Sequence, residues 1–280
     1  VTAVRVTGLH LYPVKSFVGV SPEEAALDER GLAGDRRWAV VDPGGSKVTA
    51  REEHVLLGLR AEPLEDGGIR IRVRGGQAVV VQPPRDPAAV AVGFSGQASA
   101  RPAPPEASAW LSEQTGLDLR LVWQDDGTAR PIRGQDGGLP GDRNSFADAA
   151  PIHLTTHASL TRLNDWLVET AVERGEEPRE PLGHERFRPN VVIDGDEAFV
   201  EDSWSTVRIG EVVFRTTMLV DRCVMTTIDR VDLRTTKEPI RTLARHRKWD
   251  GATWFGIRLT PVLPLPPGAT LRVGDQVTPA

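Results

Sequence analysis

Short runs of alternating apolar and polar residues, each closed by a turn signal, fill the first hundred positions, and this period of two restricts the chain to sheet architectures. Val4 and Val6 alternate with Arg5 and Thr7. Residues 37–41 run into Asp42-Pro43-Gly44-Gly45, and residues 47–50 follow as the hairpin partner. Residues 69–73 and 78–81 flank Gly75-Gly76 in the same way. Strands this short and evenly spaced predict a barrel or a sandwich. Residues 83–105 are rich in Pro, Ala and Gly and read as a loop, after which residues 106–111 form a short helix stopped by Gly116. A second loop, from Gly127 to Gly141, is richer in glycine and charge. The domain junction is expected across this region, giving modules of residues 1–125 and 126–280.

Beyond Asp148 the pattern mixes periods. Leu160, Leu163, Trp166, Leu167 and Ala171 keep helical spacing after Thr155-Thr156, whose hydroxyls can cap a first turn. Residues 191–193, 207–214, 217–228, 254–259 and 271–277 read as strands, and Ile240, Leu243, Ala244 and Arg247 as one more short helix. Pro239 is acceptable in its first turn. The fold class is therefore mainly β with some helices (α+β).

The 280-residue chain has a single cysteine, which excludes an internal disulfide, a cysteine-only zinc knuckle and a built-in iron–sulfur cluster. A net charge of -5 argues against nucleic acid and anionic membrane surfaces as partners. The first twenty residues hold no continuous apolar stretch for a signal peptide or membrane helix, so a soluble cytoplasmic protein is expected. There is no phosphate-cradling Walker loop, no dinucleotide glycine fingerprint and no cysteine pair at ligand spacing, and the six histidines read as structural or surface residues.

The segment Asp221-Arg222-Cys223-Val224-Met225-Thr226-Thr227-Ile228-Asp229 stands apart. A lone cysteine often packs as a small hydrophobe. An arginine beside a thiol, however, favours the thiolate, the form that attacks or binds a metal, and thiolates suit soft or high-valent metal centres. Basic and hydroxyl residues cluster elsewhere as Pro13-Val14-Lys15-Ser16, Gly34-Asp35-Arg36-Arg37-Trp38 and Phe187-Arg188-Pro189-Asn190. Singly, each reads as a strand end or a solvated ion pair. Together with Cys223 they supply one thiolate and several donors for a multiply charged anion.

Tyr12-Pro13-Val14-Lys15-Ser16, the Gly31-Leu32 to Trp38 stretch, Thr49-Ala50-Arg51, Phe187-Arg188-Pro189-Asn190, Glu201-Asp202-Ser203-Trp204, Arg222-Cys223-x-x-Thr226-Thr227-x-Asp229 and Lys237-Glu238-Pro239 occur in one order along the chain. In that order and spacing the chain resembles MOSC proteins, in particular the branch of the amidoxime reducing components and their bacterial relatives. The resemblance implies an N-terminal β-barrel-like domain packed on a MOSC β-barrel domain, and a molybdenum cofactor, a pyranopterin anchored by its phosphate. By motif, Cys223 would be the catalytic residue and the protein's ligand to molybdenum. Lys15, Ser16 and Arg36 would reach the cofactor from the first module, and Arg188, Asn190, Asp221 and Arg222 from the second, placing the expected site between them. Ala149 and Ala150 follow the acidic Asp148 where relatives often carry hydroxyls, so any contact there would come from backbone N–H groups. Val220, Arg230 and the residues after Phe255-Gly256 also depart from the family pattern.

The activity so implied is reduction of N-hydroxylated substrates, with the oxygen leaving as water. Electrons would come from an external electron-transfer protein, whether ferredoxin-like, a flavin reductase or a cytochrome. Two alternatives stay open: a non-catalytic molybdenum cofactor carrier, and a sulfur-transfer protein using a Cys223 persulfide. One geometric condition follows from the strand period. In an uninterrupted strand Asp221 and Cys223 would share a face and Arg222 would point away. A bulge or loop at Asp221-Arg222 is therefore predicted.

Overall fold

The computed structural model describes residues 3–86, 88–125 and 130–279. The chain forms two compact units that are interleaved in sequence: Val1–His10, Pro22–Asp28 and Ile152–Ala280 make one, and Leu11–Ser21 with Glu29–Pro151 make the other. A single cut at 125/126 is the sequence expectation. The compact units instead change over at 151/152, and two N-terminal segments join the C-terminal residues through strand pairing. Residue 126 and the start of the expected Gly127–Gly141 loop lie outside the described residues.

In the first unit one sheet runs in the order Val6–Leu9, Val191–Ile193, Ile152–Thr156, Ala252–Pro261, Val212–Asp221, Thr206–Ile209, Val277–Pro279. Its ends meet, because Arg5 pairs with Gln276 and the Val277 N–H donates to Val4 O at 2.8 Å, so the sheet closes into a barrel. Ile152–Thr156 and Val191–Ile193 are parallel, and the helix His157–Glu173 lies between them in sequence. That helix starts where expected: Thr156 is its N-cap, accepting from the Ser159 N–H at 3.0 Å. Its inner face packs Leu160 and Leu163 with Phe187, Leu243 and Phe255, and the helix Ile240–His246 joins this cluster through Leu243.

The second unit carries a sheet ordered Lys47–Val48, Trp38–Val41, Arg120–Trp123, Gln97–Pro102, Val90–Phe94, and a three-stranded meander of Leu59–Pro63, Ile69–Val73 and Ala78–Val81. Ala39, Val41, Val92, Phe94, Ala100, Val122 and Phe146 form its core cluster. The helix Pro105–Thr115 stops at Gly116, whose φ of 71° is left-handed, as the sequence predicts.

Four strand readings change. Residues 83–105 are not one loop: Val90–Phe94 and Gln97–Pro102 form a hairpin, their alternation obscured by the surrounding Pro, Ala and Gly. The expected strand at 207–214 is a hairpin folded at Gly210, φ 57°. The one at 271–277 is broken by Gly274, φ 93°, into Thr270–Arg272 and Val277–Pro279. The one at 217–228 ends at Asp221. There the register shifts between Leu219 and Asp221, the irregularity that Arg222 requires.

Candidate functional site

The residues named from sequence fall into two groups, one in each unit. In the second unit, Pro13-Val14-Lys15-Ser16 runs alongside Arg37-Trp38. Lys15 N–H donates to Trp38 O at 2.8 Å, and Arg36 N–H to Tyr12 O at 2.7 Å. This brings the Lys15 side chain, nearly buried, to Phe146 O at 2.9 Å and to Asp148 Oδ1 at 2.5 Å. Arg51 holds the other Asp148 oxygen at 2.8 Å. Arg36 pairs with Asp35 at 2.5 Å and lies 4.5 Å from the centre of the Tyr12 ring. Ser16, buried, accepts from the Ala50 N–H at 3.1 Å. Ala149 and Ala150 follow Asp148 in a bend and are half-buried.

Arg130, which sequence reasoning did not single out, shapes this region. Its guanidinium donates to the carbonyls of Ser145, Ala147 and Asp148, fixing the loop that presents Asp148. No local pattern marks it; only those three carbonyl contacts reveal its role. The electrostatics follow from burial and proximity. Burial pushes Lys15 down to about 8 even though Asp148 opposes the shift, and pushes Arg130 down to about 10. Asp148 is exposed, and Lys15, Arg51 and Arg36 beside it hold its carboxyl well below the usual range. Arg36 is also subject to burial, and Asp35 more than compensates, so its pKa is raised. Four cations thus surround two carboxylates, a surplus of positive charge suited to a dianion.

In the first unit two of the named residues, Asn190 and Arg222, meet at His153. Asn190, 1% exposed, has a structural bonding pattern: its Oδ1 accepts from His153 N–H at 3.2 Å and its Nδ2 donates to His10 O at 3.1 Å. The sequence reading has this amide face a pterin edge; these two bonds to backbone use one N–H and one oxygen lone pair of the amide. Beyond the bulge, Arg222 donates to Phe187 O at 3.0 Å, approaches His153 Nε2 at 3.5 Å and lies 5.2 Å from the Phe187 ring centre. Arg188 follows Phe187, half-buried. Cys223, half-buried, caps the 3-10 turn Val224–Thr227, and its carbonyl accepts from both the N–H and the hydroxyl of Thr226. The Thr pair therefore locks the turn that presents the thiol. Asp221, exposed at the strand end, receives a long 3.4 Å bond from Thr253 N–H.

Backbone strain supplies a signal independent of motif. Six described residues other than glycine take a left-handed φ, and three of them are Ser16 at 72°, Arg36 at 48° and Arg188 at 56°. Such conformations are uncommon outside glycine, are held only where the surroundings dictate them, and cluster at ligand sites. Gly256 belongs to the same neighbourhood. Its φ is 79°, and a Cβ there would stand 2.6 Å from His153 Nε2 and 2.7 Å from Leu154 O, so only glycine fits beside that histidine.

No group of three or more His, Cys, Asp or Glu suited to a metal ion occurs among the described residues. No helix among them is long and apolar enough to cross a membrane.

Comparison with known proteins adds to this geometry. Residues 3–117 match the family model described as the MOSC N-terminal beta barrel domain, and residues 141–278 that of the MOSC domain. The chain is similar to mitochondrial amidoxime reducing component 2 of Rattus norvegicus, 30% identical over 290 residues, which span 97% of this chain and 82% of that protein. It is 31% identical over 299 residues to mitochondrial amidoxime-reducing component 1 of Xenopus laevis, with 97% and 81% covered. It is 29% identical over 269 residues to the molybdenum cofactor sulfurase of Danio rerio, covering 92% of this chain and 32% of the sulfurase. Among solved structures it is similar to the YUAD protein from Bacillus subtilis, with 11% identity and a TM-score of 0.40 over 99% of this chain and 94% of that one.

Proposed function

The chain belongs to the MOSC family, which it shares with the mitochondrial amidoxime reducing components, and from that membership we propose that it is a molybdenum cofactor-dependent oxidoreductase that reduces N-hydroxylated compounds. The observation that carries the reading is the coincidence of two independent signals. Residues assigned to the cofactor by motif, Ser16, Arg36 and Arg188, are among the few non-glycine positions held in a left-handed backbone. The donor set fits the group. The cation surplus around Asp35 and Asp148 suits a phosphate ester, and the half-buried thiol of Cys223 suits molybdenum.

By motif, Lys15, Ser16, Arg36 and the Ala149 and Ala150 N–H groups of the second unit would serve cofactor binding; in the first unit Arg188, Asn190 and Asp221 would do so, and Cys223 would ligate the metal. When bound, the cofactor supplies two-electron redox chemistry at the metal. The protein's part is to fix geometry and charge. Arg222, bonded to Phe187 O with its guanidinium over that ring, places a permanent cation beside His153, and the Thr226 and Thr227 hydroxyls hold closed the turn that carries the thiol. The electrons come from a separate electron-transfer protein. A sulfur-transfer role for Cys223 is the second reading, favoured by the similarity to a molybdenum cofactor sulfurase; a cofactor carrier is the third.

The test is to purify the chain from a cofactor-competent host, measure molybdenum per protein, and assay benzamidoxime reduction with a low-potential artificial donor. Near-stoichiometric molybdenum with turnover is expected, and Cys223→Ala should abolish turnover while keeping part of the pterin. Metal without N–O reduction points to the carrier, and no metal at all removes every reading.

A further inference from the structure

Within the first unit, the helix His157–Glu173 runs into a strap, residues 174–183, that is tied back to it at two points. At the near tie the Glu176 N–H donates to Ala171 O at 2.9 Å, and the Glu176 carboxylate accepts from Arg241 at 3.2 Å. At the far tie Asn164 grips Leu182 twice, donating to its carbonyl at 3.0 Å and accepting from its N–H at 2.8 Å. Asn164 and Ala171 stand about two turns apart on one helix face. Between the ties the strap bridges that face without filling the space beneath it, and a cavity of about 340 Å³ remains. That volume is in the range of sites for small organic molecules.

The floor of the cavity is apolar. Leu167, Val168 and Ala171 line it from the helix, and Pro181 and Leu182 from the strap. Val168 is 43% exposed, an apolar side chain that the fold itself leaves uncovered. The rim is charged, with six carboxylates against three guanidiniums. Two of those guanidiniums are engaged within the fold. Arg241 joins Glu238 to Glu176, and Arg186 donates to Ile228 O and to Asp229 at 3.0 Å. The third, Arg179, is exposed. Glu177 and Glu180 enter no hydrogen bond or ion pair among the described residues.

This lining selects by charge. The rim repels an anion, and a neutral apolar molecule gains the floor but nothing from the carboxylates. A small organic cation uses both surfaces, its apolar body against Leu167, Val168 and Ala171 and its charge among the carboxylates. The cavity is separate from the thiol but backs onto its turn: Thr236, on the opposite wall, donates its N–H to Thr227 O at 2.9 Å.

We propose that the cavity between the helix His157–Glu173 and the strap 174–183 is a binding site for a small organic cation with a flat apolar body, of the amidinium class. The site does not depend on the reading of the chain as an N–O reductase.

Benzamidinium is the probe, a ring bearing one delocalised cation and the product that benzamidoxime reduction would leave. Titrated into the full chain, it should bind saturably with Kd on the order of 1 mM or tighter and perturb the amide NMR signals of Leu167, Ala171 and Leu182. Benzamide and benzoate, matched in shape but neutral and anionic, should bind at least about 5-fold more weakly, and raising salt from 0.1 to 1 M should weaken benzamidinium by a few-fold. The double variant Glu177→Gln, Glu180→Gln breaks no ion pair and should lose about 5-fold in affinity with its thermal midpoint unchanged. Val168→Trp, filling the cavity from its exposed edge, should abolish binding. No saturation by about 10 mM, benzamide binding as tightly as benzamidinium, or both variants binding like wild type overturns the site. A chain that binds benzamidinium here yet, loaded with molybdenum, reduces no N–O compound keeps the site and loses the reductase reading.

Discussion

Lys15 keeps its ammonium in a nearly buried position, and the protein is destabilised for it in a definite pH window. Its folded value of about 8 lies below the ordinary 10.5, so between these the unfolded chain binds more protons than the folded one. Stability should therefore rise with pH from about 8 to 10.5. In urea titrations of the cofactor-free protein, wild type should gain on Lys15→Met across that window; a constant gap between them would remove the assignment. Inorganic phosphate bound beside Lys15 should raise its pKa and flatten the gain. The motif made Lys15 and Arg36 legible in the sequence because chemistry restricts residue type there. Arg130 and His153 were not legible, because their importance lies in which carbonyl or guanidinium they meet after folding. Asn190 was legible as important, and residue type alone does not show the backbone bonds its amide makes to His153 and His10.

Thr155, Thr156 and His157 do three different jobs in succession: a buried strand hydroxyl, the helix cap and the first helical residue. Thr156 Oγ1 accepts from Ser159 N–H and donates to Ser159 Oγ at 2.8 Å, and Ser159 passes the connection to the buried Glu201 at 2.7 Å. Thr156→Ala should therefore lower stability by about 1–2 kcal/mol, measured as a shift in urea midpoint at constant m-value. A shift below ~0.3 kcal/mol would mean that the cap contributes nothing. Helices were legible because both their ends carry chemistry, as at Thr156 and Gly116. Strands were overrun because alternation continues across a tight turn: Ile209 and Val212 look like one strand until Gly210 turns the chain back. The end of Val212–Asp221 was legible only through the demand that Arg222 and Cys223 act together.

For the whole molecule, the interleaving of the units is the property that local sequence hides. Val6–Leu9 pairs with Val191–Ile193, and Glu24–Asp28 with Thr270–Arg272, contacts that leave no periodicity in either segment. A fragment of residues 126–280, the module that the sequence suggests, lacks both N-terminal strands and leaves Val191–Ile193 with an unpaired edge. It should lack cooperative thermal unfolding and show poor dispersion in NMR spectra, and should recover both on adding residues 1–28 as a separate peptide. A fragment that folds cooperatively alone would refute this.

The same interleaving sets an order of events during synthesis. Val6–Leu9 leaves the ribosome before its neighbour Val191–Ile193, which does not exist until more than 180 residues later. At translation rates of about 5–20 residues per second, that is on the order of 10 to 40 seconds. Residues 38–123 can close their own two sheets within that interval, because those strands pair with one another. The barrel cannot, and Val6–Leu9 must wait with its edge bare until the residues around Gln276 arrive to seal it. Nascent-chain capture in that interval by a holdase, or self-association through that edge, is thus the hazard that this chain topology imposes on its cell.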